Sequence, residues 1–411
     1  MLKRVSTLLA GIIFWHIGIC NTYTVCEDCD LSTIQSGIDI SSPGDTLIFN
    51  PGVYLSPGVE IRKPLVLLGQ PGAVLDGGGK NYILKILSDS VTVSGFELTN
   101  SGRSYTKDYA AIYIHRSSDF VLSNNEIRQS FYGILVEKSK NGRIHGNKVF
   151  GTATREDQSG NGIHLWDCDS VVISKNEVEG MRDGIYLEFV DGSQVNDNYS
   201  YDNVRYGLHF MFSNHDDYSN NTFENNGAGV AVMFSKFINM RENLFLENWG
   251  GASYGLLLKE IYDAEIEHNI FRENTVAINV DGSTRINYKR NEFLRNGWAV
   301  KVTGGCYENA FIENNFIANS FDVSYNSKIN DNRFEGNYWS NYSGYDLDRD
   351  GTGDVPYRPV KLFTYIVNRT PETVVLLRSL FIDLLNFSEK VSPVFTPDNL
   401  SDPKPSISII K

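Results

Sequence analysis

The sequence has no excess of positive charge: 37 Lys and Arg stand against 50 Asp and Glu, a formal net charge of −13. Affinity for nucleic acid comes from clustered Lys and Arg that release phosphate counterions, so this composition argues against a nucleic-acid partner. Cysteine is scarce as well, at five residues, and only Cys26 and Cys29 are close in sequence. A zinc ribbon needs a second such pair and is excluded. The apolar run from Leu8 to Ile19, broken by His16, is too short to cross a bilayer core of ~30 Å as a helix. Preceded by Lys3-Arg4 and followed by Cys20-Asn21-Thr22, it reads as a secretory signal peptide over residues 1–21 and predicts an exported protein. In an oxidising compartment Cys26-x-x-Cys29 can close a small disulfide loop, the preferred reading, or present two thiolates to a soft metal. Cys168 and Cys306 are far apart and read as ordinary residues of the fold.

Apolar residues are not lacking. At 41% hydrophobic and 21% charged the chain can build a large core, and wholesale disorder is excluded. A length of 411 residues would suggest two or three domains unless the chain is a repeat array.

It is a repeat array. Asn-x-hydrophobic recurs at Asn125, Asn147, Asn176, Asn221, Asn243, Asn269, Asn291 and Asn315, and Asn198 keeps the spacing although Tyr199-Ser200 follows it. The steps are 22, 29, 22, 23, 22, 26, 22 and 24 residues, with insertions expected at 152–160 and 248–253. Between the asparagines a small residue precedes alternating apolar positions, as in Gly133-Ile134-Leu135-Val136, Gly184-Ile185-Tyr186-Leu187 and Gly207-Leu208-His209-Phe210. Short period-2 runs are strands, and about 22 residues hold two or three of them with tight turns and no helix. The fold class predicted is all-β, a right-handed parallel β-helix of the pectate-lyase-like kind over residues 22–345. Asparagine suits its turns because it tolerates left-handed backbone angles and stacks as a hydrogen-bonded ladder. Roughly 14 coils at ~4.8 Å each make a rod of ~65 Å. Ile34-Gln35, Asp45-Thr46-Leu47, Gly52-Val53-Tyr54 and Leu75-Asp76-Gly77 read as short strands and turns of the opening coils.

If Ile134 and Val136 fill the interior, the alternating residues face outward. Aligned coils give two outer columns. One runs Tyr113, Leu135, His164, Tyr186, His209, Ala231, Leu257, Asn279, Lys301; the other runs His115, Glu137, Trp166, Glu188, Met211, Met233, Lys259, Asp281, Thr303. Only four methionines follow the initiator, and two of them, Met211 and Met233, are neighbours in the second column with His209 beside them. Thioether plus imidazole is a soft ligand set that suits Cu(I). The same methionines also serve as adaptable hydrophobes under a partner surface. With Trp166, Tyr186 and Tyr113 they make an apolar strip closer to a protein-docking face than to a sugar cleft.

After Asn337-Tyr338-Trp339 come Asp346, Asp348, Asp350, Thr352 and Asp354, interleaved with glycine in the manner of the first half of a calcium loop. The Glu that closes an EF-hand is missing. Residues 346–370 are expected to form this loop and a strand. Pro371 to Phe387 then reads as an amphipathic helix, and the Pro-rich remainder of 371–411 as an extended arm for docking a partner.

These pieces together resemble the NosD family. The resemblance rests on Arg205-Tyr206-Gly207-Leu208-His209-Phe210-Met211, Val232-Met233-Phe234-Ser235, Tyr254-Gly255-Leu256-Leu257-Leu258-Lys259, Asn337-Tyr338-Trp339, the run from Asp346 to Pro359, and Leu377-Arg378-Ser379. It implies a periplasmic, non-enzymatic scaffold. Such a scaffold is anchored by its C-terminal part on an ABC transporter membrane subunit, takes Cu(I) from a membrane-anchored copper chaperone and passes it to apo nitrous oxide reductase. His209, Met211 and Met233 as copper ligands follow from the column alignment. The rival readings are a polysaccharide lyase or glycoside hydrolase, which needs an outward catalytic constellation that Glu137 and Glu188, ~9.6 Å apart, do not supply, and a purely adhesive solenoid.

Overall fold

The computed structural model describes residues 20–104, 106–326, 331–377, 379–391 and 400–411. Most of the expected signal peptide (1–19), Arg378 and residues 392–399 of the expected arm lie outside the described residues. Among the described residues, three parallel sheets of 14, 12 and 13 strands wrap one apolar interior, each coil adding one strand to each sheet. This is the expected β-helix. The alternation works as the sequence implies: Ile134 and Val136, Ile163 and Leu165, Ile185 and Leu187 are sealed inside. The x-aromatic positions after the asparagines form one interior stack, Phe223, Phe245, Phe271, Phe293, Phe316 and Trp339, with successive ring centroids 4.1–5.6 Å apart.

Register is held by amide ladders. The Oδ1 atom of Asn243 accepts both the backbone N–H and the Nδ2 of Asn221 at 3.0 Å, while the same Nδ2 donates to the Val195 carbonyl at 2.7 Å. The pattern repeats from Asn125 to Asn337, and Asn198 keeps its rung. One expected rung moves. Asn314, not Asn315, continues from Asn291, because Glu292 pairs with Asn315 and the ladder position is the residue before it. A second ladder, unseen in the sequence reading, climbs through Asn203, Asn226, Asn248, Asn274, Asn296 and Asn319.

The ends differ from expectation. Ile34-Gln35 opens a helix, α1 (Ile34–Ile40), instead of a strand: Thr33 and Ser36 form a capping box, and Ile34 and Ile38 close the first coil. At the other end the 346–370 segment holds no strand among its described residues but a helix, α2 (Leu362–Arg369), because Phe363 and Val367 sit one turn apart and bury against Phe321. The single helix expected from Pro371 to Phe387 is divided into a 3-10 turn, Pro371–Leu376, and α3 (Leu380–Val391). The β-branched run Thr373-Val374-Val375 is a poor α-former, and it lies within the 3-10 turn. Cys26 and Cys29 are disulfide-bonded.

Nor does the last segment run out as an arm. Residues 400–411 fold back on the final coils, where Asn315 exchanges two 2.9 Å hydrogen bonds with Ile410. The fully buried Asp402 ends the first ladder. Its carboxylate accepts from Gly336 N–H, Asn337 N–H, Asn337 Nδ2 and Trp339 Nε1 at 2.9–3.1 Å. Truncating it leaves those buried donors unpaired, at about 1–3 kcal/mol for each group not rescued by water. Asp402→Ala is therefore expected to lower stability by about 2–4 kcal/mol, read as a fall in the urea midpoint. An unchanged midpoint would show that the tail is not a structural cap.

Candidate functional site

The outer columns lie on the 12-stranded sheet, and its pairings put them in the expected register. Leu135, His164, Tyr186, His209, Ala231 and Leu257 are successive partners, as are Glu137, Trp166, Glu188, Met211, Met233 and Lys259. Met211 and Met233 are thus direct cross-strand partners, ~4.8 Å apart along the rod, both half-buried. The strand Tyr206–Met211 carries His209 two residues before Met211, on the same face.

Leu135, His209 and Ala231 of the first column are closed off from water, although the column points away from the core. His209 is 6% exposed, covered by Tyr186 and Tyr206 with ring centroids 4.8 Å away on each side. Its Nδ1 faces Asp183 Oδ2 at 3.6 Å and Arg205 Nη2 at 3.5 Å, and its Nε2 is buried without a partner. Asp183 itself is fully buried and grips Arg205 with both oxygens, at 2.9 and 2.6 Å. Burial pushes its carboxyl up, but bonding to His209 and Arg205 outweighs this and holds it below the ordinary carboxylate range. The pair fixes the rotation of His209 and leaves Nε2 as the available donor. Tyr186 bridges the columns: its hydroxyl lies 3.9 Å from Met211 Sδ.

One coil beyond Tyr186 stands His164, edge-on to it at 4.7 Å and beside Tyr132 at 6.0 Å. Burial, and then the Arg182 guanidinium, push its pKa down to about 3, so the ring is neutral at neutral pH. Glu137 is already engaged by Tyr113 Oη at 2.6 Å and His115 Nδ1 at 3.3 Å, which leaves no free acid pair with Glu188.

A further feature lies one residue past the second column, where each coil turns its corner with positive φ. The corner residues run Arg116, Lys138, Asp167, then Phe189, Phe212, Phe234, then Glu260, Gly282, Gly304. Charged residues or glycine are ordinary at such exposed left-handed positions; bulky phenylalanine is not. Phe189 and Phe212 are 48% and 40% exposed, and the three rings stack face to face at 5.2 and 5.1 Å. The phenylalanines fall on the coils of Glu188, Met211 and Met233. Sequence reasoning missed this column, and extending the alignment by one position would have revealed it.

Far away, at the C-terminal end, oxygen atoms of Asp346, Asp348 and Asp350 lie within 4.8 Å of one another. Two other members of the expected loop are already engaged: Asp354 Oδ2 accepts from Leu347 N–H at 2.7 Å, and Thr352 forms a bridge with Ser406.

Removing the charge on Asp183 leaves Arg205 unmatched. Asp183→Asn is expected to cost about 2–3 kcal/mol at pH 7, somewhat under the full penalty for a buried pair because Arg205 is a third exposed. A depressed carboxylate stabilises fully above its unfolded-state pKa and loses that contribution as pH falls through its folded one. Urea unfolding at pH 7 and pH 3 should therefore show the gap between wild type and variant closing at the lower pH.

The family model described as NosD, periplasmic copper-binding protein, matches residues 151–344, which contain the methionine pair, His209 and the phenylalanine corner. Over 398 residues the chain is 29% identical to the probable ABC transporter binding protein NosD of Pseudomonas aeruginosa, covering 84% of each. Over 371 residues it is 28% identical to the protein of the same name from Stutzerimonas stutzeri, covering 85% of this chain and 84% of that one. Among solved structures it is similar in fold to a family 28 exopolygalacturonase of Yersinia enterocolitica, with a TM-score of 0.61, 12% identity and coverage of 76% of this chain and 78% of that one. A PL6 alginate lyase gives 0.60 at 12% identity, covering 78% and 85%. At such identities these two show the β-helix alone. Residues 151–344 thus match the model of a family described as periplasmic copper-binding proteins, NosD, and over most of its length the chain is similar to curated relatives named as probable ABC transporter binding proteins.

Proposed function

We propose that this protein is a non-enzymatic periplasmic carrier that takes Cu(I) from a membrane-anchored copper chaperone and delivers it to apo nitrous oxide reductase, while docked on an ABC transporter. The observation that carries the reading is the in-register pair Met211 and Met233 beside the oriented imidazole of His209. Two thioethers and an imidazole nitrogen make a soft set, matched to a monovalent soft cation and poor for calcium. Half-exposed methionines on one rigid face leave room for a partner to add or remove a ligand, as a transfer station requires. Phe189, Phe212 and Phe234 supply the apolar surface on which the chaperone would dock, next to the metal position. Aromatic anchors of this kind dominate interface energetics.

Transporter docking is assigned to the C-terminal segment. Leu380, Phe381, Leu384 and Phe387 of α3 are 56–74% exposed, while Ile382 of the same helix is buried against the rod. Such an apolar face fits a membrane subunit better than water. Among the described residues no helix is long and apolar enough to cross a membrane. The Asp346, Asp348 and Asp350 oxygens, with Thr352 and Asp354 in the same loop, are assigned to calcium as a structural ion that stiffens this end.

In an anaerobic Cu(I) competition titration of the mature protein, wild type should bind one ion and Met211→Ala/Met233→Ala should bind at least a hundredfold more weakly. Phe212→Asp should leave that affinity unchanged while weakening capture of the copper-loaded chaperone at least tenfold. Equal Cu(I) binding by wild type and double variant would overturn the assignment. For the acidic loop, millimolar calcium should raise the melting temperature of wild type by several degrees and leave Asp348→Asn/Asp350→Asn unmoved. No rise in wild type would remove calcium from the account.

A further inference from the structure

His164 has no structural reason to be a histidine. Both ring nitrogens are shielded from solvent and neither has a hydrogen-bond partner. A neutral imidazole always carries one N–H donor and one lone-pair acceptor. Leaving such groups buried and unpaired costs about 1–3 kcal/mol each. A phenylalanine between Tyr132 and Tyr186 would fill the same space without that cost.

The surroundings define what would bring the nitrogens into use. Tyr132 and Tyr186 flank the ring, and aromatic faces tolerate a cation. Arg182, which donates to Asn161 Oδ1 at 3.0 Å, stands near and disfavours a doubly charged ion. The nearest buried carboxylate, Asp183, is committed to Arg205 and faces His209, so no oxygen cage for a hard cation is present. A singly charged soft ion, bound by donation from neutral nitrogen, fits these constraints.

We propose that His164 is a second ligand position for a monovalent soft cation, on the same outer column as His209 and two coils from it. Tyr186 lies between the two imidazoles, with ring centroids 4.7 Å from one and 4.8 Å from the other, so one ion cannot be shared. The face then offers two separate stations ~9.6 Å apart along the rod: the methionine pair with His209, and His164. This inference rests on the copper-carrying reading of the face, and it gives that face two ligand positions in line along the coils.

The test uses Ag(I), a redox-inert stand-in for Cu(I), and the full mature chain labelled with 15N at histidine. The sequence holds seven histidines, His16 among them in the signal peptide, so the ring spectrum is small enough to assign, with His164→Gln marking the resonance of interest. Addition of two equivalents of Ag(I) should shift a ring nitrogen of His164 in wild type and equally in Met211→Ala/Met233→Ala, while the shift at His209 is lost in the double variant. A His164 resonance that stays in place while His209 moves would overturn the second station and leave the methionine site intact. Movement of His164 alone would support the second station and overturn the methionine assignment. If neither moves, both fail.

Discussion

Everything on the working face of this protein depends on a hydrogen-bonded amide. Each ladder asparagine spends its carbonyl oxygen on two donors of the preceding coil and its Nδ2 on the next amide and on a backbone carbonyl, so a one-residue slip would break all four bonds in a buried place. Because side chains alternate with period two, such a slip would also turn the outer columns inward. The ladder through Asn198, Asn221 and Asn243, and the second through Asn203, Asn226 and Asn248, run through the coils that carry Met211 and Met233. Two methionines 22 residues apart become neighbours because the amides permit no other register. Extra residues are accommodated only at corners, where 152–160 and 248–253 leave the rungs undisturbed.

A solenoid held this way has two open ends, and each is closed by a different chemistry. At the start α1 lays Ile34 and Ile38 over the first coil. At the finish the ladder needs an acceptor but no further donor, since no coil follows to receive one. Aspartate meets that need: the Asp402 carboxylate accepts four hydrogen bonds from the last coil and, unlike an amide, has no side-chain N–H to leave unsatisfied. With residues 400–411 folded back on the rod, α3 carries an apolar face that is exposed among the described residues.

The face itself joins an anchored interior row to an open outer rim. Asp183 and Arg205 come from adjacent coils and turn His209, Tyr186 and Tyr206 enclose it, and the methionines stand half in water. Outside them the corner phenylalanines hold left-handed angles that bulky side chains adopt rarely. Three such phenylalanines stand on successive coils, beside Glu188, Met211 and Met233, and their stacked rings give this stretch of the rim an apolar surface.

How much of this was legible beforehand follows from distance along the chain. The 22-residue period, the inward and outward faces and the pairing of Met211 with Met233 depend on local alternation and on the repeat, and the sequence by itself determined them. It misplaced one rung, since Asn314 and Asn315 are adjacent and only pairing with Asn291 separates their roles. It gave no sign that His209 and His164 would be enclosed, because that depends on how Tyr132, Tyr206 and the arginines of neighbouring coils turn. The tail was read as free for the same reason. Its bonds to Asn337 and Asn315 span 65 and 95 residues, and such contacts exist only once the rod is complete.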